Sequence, residues 1–172
     1  MNLVAVAIGG FYVFAGVLVL RTMRLDRVMD DVLAALEGKS TSANERWKSA
    51  ILTAGAFLTL ASGAALVTLS ALAAPLFLAN VIVQGGYLLW AGRAFPPTDA
   101  DEANGRRQTT NAFVVYVAAG AFVVWLSMRG GLRSWPIGTE AIALEALAIG
   151  GITLAGWAST LVPHSWFRKK AD

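Results

Sequence analysis

The feature that most constrains this chain is a stretch without a single Asp, Glu, Lys or Arg, running for 44 residues from Ser49 to Gly92. As one straight helix it would measure about 66 Å, roughly twice the hydrocarbon thickness of a bilayer, so it must fold back on itself as two spans. The turn is expected in Ser70-Ala71-Leu72-Ala73-Ala74-Pro75, because Pro75 has no N–H to lose in the first turn of the next helix. Three further charge-free runs are long enough to cross: Leu3 to Leu20, Gln108 to Met128 and Ala146 to Phe167.

Composition agrees with this reading. Of 172 residues, 56% are apolar and only 15% charged, and the mean hydropathy is +0.59, more apolar surface than one soluble core of this size could hide. The expected fold is therefore an all-α integral membrane bundle, one domain over residues 1–172. Its five transmembrane helices are expected near 3–20, 49–69, 75–91, 110–128 and 144–163.

Basic residues set the expected orientation. Arg21, Arg24, Arg27, Lys39, Arg46 and Lys48 follow the first span, Arg93, Arg106 and Arg107 follow the third, and Arg168, Lys169 and Lys170 close the chain. Only Arg129 and Arg133 fall between the fourth and fifth spans. With five alternating spans, twelve of fourteen cations share one side, which the retention of Lys and Arg in the cytoplasm makes the inner side of a bacterial-type cytoplasmic membrane. The N-terminus is then outside and the C-terminus inside. The first span reads as a retained anchor, since Met1-Asn2 offers no basic region ahead of it. Trp47, Trp90, Trp125, Trp135 and Trp166 fall near expected membrane interfaces, with Trp157 the exception inside the fifth span.

Between residues 21 and 37, Leu25, Val28, Met29, Val32, Leu33 and Leu36 recur at helical spacing among Arg24, Arg27, Asp31 and Glu37. This is an amphipathic cytoplasmic helix, either lying at headgroup level or continuing the first span. Arg27 and Asp31 have ion-pair spacing, Gly38 is a natural stop, and Ser42-Ala43-Asn44-Glu45 reads as a capping box for the second span. Residues 93–107, with Pro96-Pro97 and Asn104-Gly105, are expected to form a cytoplasmic loop. Ala54-Gly55-Ala56-Phe57 recurs as Ala119-Gly120-Ala121-Phe122, a faint sign that spans two and three repeat as four and five.

The chemistry on offer is narrow. There is no Cys and one His, which excludes thiolate sites, disulfides and any intrinsic bis-His haem or zinc centre in one chain. His164, in Val162-Pro163-His164-Ser165-Trp166, could serve only as a lone ligand to haem or pigment, and otherwise reads as an interfacial imidazole. No phosphate-binding glycine motif is present, and the basic balance reflects topology rather than nucleic acid. Asn80, Gln84 and Tyr87 share one helical face and should point into the bundle, where amides hydrogen-bond between helices or line a polar path. Asn111 and Tyr116 are expected to join them, along with Thr109 and Thr110. Glu145 is placed at the outer end of the fifth helix, after Glu140, with a structural role or a proton or cation site as its two readings. Small residues such as Gly9 with Gly16, Gly55 with Thr59 and Ser62, Gly85 with Gly92, and Gly151 with Ala155 favour close helix packing.

These features point to a non-catalytic accessory or assembly subunit of a larger membrane complex, its partners being the lipid bilayer and other membrane subunits. The alternative is a small transporter or channel built as a homo-oligomer. A bound lipid, quinone or pigment is compatible with either.

Overall fold

A computed structural model describes residues 2–37, 43–94, 96–97, 99–133 and 139–161. Among them there are five α-helices and no strand: α1 (Asn2–Glu37), α2 (Ala43–Val67), α3 (Ala73–Ala94), α4 (Ala100–Met128) and α5 (Thr139–Ser159). Each is long and apolar enough to cross a membrane. Gly38, the Ser42 capping box, Trp135, His164, Trp166 and the basic tail lie outside the described residues, as does the Asp31 side chain on which the expected Arg27–Asp31 pair rests.

The helix boundaries refine the sequence expectations in three ways. The first span and the amphipathic segment form one uninterrupted helix of 36 residues, about 54 Å long, so there is no separate sixth element. Residues 100–107 are helix rather than loop: α4 starts at Ala100, with Asp99 accepting from the Glu102 N–H at 2.7 Å and Asp101 and Glu102 in the first turn. A capped N-terminus with acidic residues beside the helix dipole outweighs the turn preference of Asn104-Gly105. Finally, α5 begins and ends several residues before the expected span. This carries Trp157 into its last turn and Glu145 into its second.

The α2–α3 fold-back lies where Pro75 puts it. Leu69 takes a left-handed conformation (φ 54°), while the Leu69 and Ser70 N–H groups donate to Leu66 and Ala65 carbonyls at 3.0 and 2.9 Å, which satisfies the last carbonyls of α2. The same device ends α4. Gly130 (φ 69°) is the left-handed residue, and Gly130 and Gly131 donate to Ser127 and Leu126 at 3.1 and 2.9 Å. The two ends are tied together by the Arg133 N–H, which donates to the Leu69 carbonyl at 2.7 Å. They define the hairpin end of the bundle; Arg24, Arg27 and Arg93 mark the opposite, basic end.

α2 is the central helix, packed against α1, α3 and α5, while α4 packs on α3 and α5 also touches α1. Helices in lipid gain little from burying apolar surface and associate through close packing instead. The α1–α2 contact shows how close: a Cβ built on Gly63 would lie 2.7 Å from Val13 N and 2.8 Å from Gly9 O, and one on Gly16 would lie 2.9 Å from Leu60. α3 is flanked by the two recurring glycines, Gly55 facing Asn80 and Gln84, and Gly120 facing Phe77 and Val81. The repeat does not extend to packing, because α5 sits on α2 and α1 whereas α3 is the neighbour of both α2 and α4.

Candidate functional site

Four helices converge on a buried node in the interior of the bundle. Tyr12 of α1, Phe77 of α3 and Tyr116 of α4 are all buried. The Phe77 and Tyr116 rings stack at 5.0 Å and 20°, and Tyr12 stands edge-on to both, at 5.5 and 5.0 Å. Such pairs contribute about 0.5–1.5 kcal/mol each beyond simple contact. The polar edge of the node turns toward α2, where Ser62 Oγ lies 2.9 Å from Tyr116 Oη. Ser62 has one hydrogen, which it directs to the Thr59 carbonyl at 2.9 Å, so the tyrosine hydroxyl is the donor between the two side chains.

One turn toward the basic end, a second set of polar groups closes on itself. Asn80 Nδ2 donates to Thr59 Oγ1 at 2.8 Å; Gln84 Nε2 donates to the same oxygen at 3.2 Å and to Asn80 Oδ1 at 3.1 Å. Thr59 in turn donates to the Gly55 carbonyl at 2.9 Å, so its hydroxyl makes one donation and two acceptances and is saturated. Asn80 and Ser62 have no accessible surface. Among the described residues no buried side-chain N or O lacks a hydrogen-bond partner. Gly55 faces the two amides, and a Cβ there would sit 3.5 Å from Gln84 Cγ, an ordinary contact.

The residues singled out from sequence are distributed as follows. Asn80, Gln84 and Tyr116 lie in this connected interior. Tyr87 shares the face of Gln84 but lies toward the basic end, half-buried, with its ring 6.3 Å from Trp90. Asn111 is exposed on α4 and does not join the cluster; Thr109 and Thr110 beside it bond back to their own helix, at Gly105 and Arg106. Glu145 is at the hairpin end, half-buried, where Ser70 Oγ donates to its Oε2 at 2.8 Å and also accepts from the Leu72 N–H at 3.1 Å. It is thus tied to the α2–α3 turn and remote from Asn80. Tyr12 and Thr59 carry no site signal in the sequence, where Thr59 and Ser62 read only as small residues that permit close packing.

Chemically, the interior joins Thr59, Asn80 and Gln84 in one set of hydrogen bonds and Ser62 with Tyr116 in another. Among the described residues there is no group of three or more His, Asp or Glu side chains placed to hold a metal ion. Two cavities open from the outside of the bundle. A groove of about 380 Å³ between α3 and α4 is apolar, floored by Gly120 and bordered by Val81 and Trp125. A smaller one, about 250 Å³, lies at the basic end between α1, α2 and α5, and includes Arg24, Arg27 and Trp157. Comparison with protein-family models, with curated proteins and with solved structures gives no match.

Proposed function

We propose that this protein is a non-catalytic accessory or assembly subunit that binds other membrane-spanning subunits in a bacterial-type cytoplasmic membrane, N-terminus outside and C-terminus inside. The observation that carries this reading is the closed hydrogen-bond ring of Thr59, Asn80 and Gln84. Polar groups on a transport path must exchange partners with a solute or water, whereas Asn80 and Gln84 here donate to Thr59 and so hold α3 to α2. The orientation rests on the twelve-to-two division of Lys and Arg.

The outer surface supports the same reading. α5 presents Leu144, Leu147 and Leu154 together with the small residues Gly151 and Ala155, all exposed, and nothing lies within 4 Å of where a Gly151 Cβ would be. Small residues on an outer face let another helix approach as closely as α1 approaches α2. The test is photo-crosslinking from positions 147 and 154 in the native membrane. A single heterologous adduct of defined mass is expected; adducts with lipid or with copies of this chain alone would count against a subunit role and favour the transporter reading, in which the chain forms a homo-oligomer.

A further inference from the structure

The cavity at the basic end combines two features that topology alone does not require. Lys and Arg held on the cytoplasmic side commonly extend into water, but here two exposed guanidiniums border a cleft and bond to the helices on its other sides. Arg24 Nη1 donates to the Thr160 carbonyl at 3.1 Å, capping the last turn of α5. Arg27 Nε donates to Ser49 Oγ at 2.9 Å and its Nη2 to Thr53 Oγ1 at 2.6 Å, at the start of the α2 span. Among the described residues these acceptors are all neutral oxygens, so two positive charges stand at one mouth. Each guanidinium carries five N–H donors in a planar fork.

Behind the charges the lining is apolar: Leu20 and Met23 of α1, Phe57 of α2 and Trp157 of α5. The order from guanidiniums to aliphatic and aromatic groups matches an amphiphile with an anionic head and a hydrocarbon tail. Arg geometry suits the paired oxygens of a phosphate, and an indole is at home at the depth where headgroup gives way to acyl chain. We propose that this cleft binds the phosphate of an anionic phospholipid, Arg24 and Arg27 taking the headgroup while its first methylenes lie against Phe57 and Trp157. The lipid would cross-brace the α1, α2 and α5 ends, which meet there.

The test uses the full chain in bilayers, with bromine-labelled phosphatidylglycerol or phosphatidylcholine as the quencher of tryptophan fluorescence. Subtracting the Trp157→Phe protein isolates the signal from the cleft. At low salt the phosphatidylglycerol should be preferred at Trp157 by about fivefold or more, the effect of roughly one well-placed guanidinium. Arg24→Gln with Arg27→Gln should abolish the preference, and the Arg→Lys pair should retain part of it. Added inorganic phosphate separates the sources: persistence of the preference identifies the lipid as the ligand, whereas its loss identifies a phosphate site open to small anions. Equal quenching by the two lipids in the unsubstituted protein would overturn the proposal without recourse to any variant, as would a preference that survives in the double Gln protein.

Discussion

Tyr116 of α4 and Ser62 of α2 meet at 2.9 Å across 54 positions of sequence, both buried. Neither helix packs extensively on the other, so this bond links α4 to the central helix through the node rather than through a broad interface. A double-mutant cycle with Ser62→Ala and Tyr116→Phe isolates it, since Phe preserves the stacked ring. The expected coupling is about 0.6 kcal/mol, with an upper limit near 1.7 kcal/mol. Additive losses of stability, measured by unfolding in mixed detergent micelles, would show that the two hydroxyls act separately.

Close backbone approach makes a second, sharper expectation. Gly63→Ala introduces a methyl group 2.7 Å from Val13 N and 2.8 Å from Gly9 O, atoms that cannot swing aside. It should cost about 2 kcal/mol as α1 and α2 are pushed apart. Gly10→Ala, where nothing lies within 4 Å, should be neutral or slightly stabilising, because only the helix propensity of Ala is felt. Equal effects at the two positions would contradict the packing described.

At the start of α4 the capping interaction is exposed, which makes its effect local. Asp99→Ala removes the acceptor of the Glu102 N–H and should cost about 1 kcal/mol. Amide exchange should accelerate over residues 100–103 while the apolar part of α4 beyond Thr110 keeps its protection. Unchanged exchange at 100–103 would mean that the first turn is held by something other than Asp99.

Ser70 serves two partners and Glu145 one, and their variants should differ accordingly. Ser70→Ala loses both the cap on the Leu72 N–H and the donor to Glu145, a loss of about 1–2 kcal/mol. Glu145→Gln retains an oxygen that can accept from Ser70 and should cost less than about 0.5 kcal/mol. The reverse order would indicate that the charge of Glu145, rather than its capacity to accept, matters at the hairpin end.

The spans were legible because a bilayer imposes a length on apolar runs, and the 44-residue stretch allowed no other solution than a hairpin near Pro75. The extent of α4 was not, because solvated residues such as Asp101 and Arg106 suit an extramembrane helix as well as a loop, and only the Asp99 cap decides between them. The same limit explains Trp157: fixing α5 by its charge-free run put the indole mid-span, whereas Glu140 and Glu145 lie within the helix and shift it toward the basic end. In the interior, Asn80 and Gln84 could be paired by their four-residue spacing. Asn111 could not join them alongside Tyr116, since five residues turn a helix by about 140° beyond a full revolution and send the two side chains to different faces. Thr59 and Ser62 escaped because a short hydroxyl on a helix ordinarily bonds its own preceding turn, and their second bonds, to α3 and α4, depend on tertiary placement.

The most direct test of an accessory role is to extract the protein from its native membrane in a mild detergent and determine the composition of the size-exclusion peak by mass spectrometry. A fixed stoichiometry with at least one other membrane protein is the expected result. A peak containing only this chain and lipid, at the mass of a monomer or homo-oligomer, would contradict it.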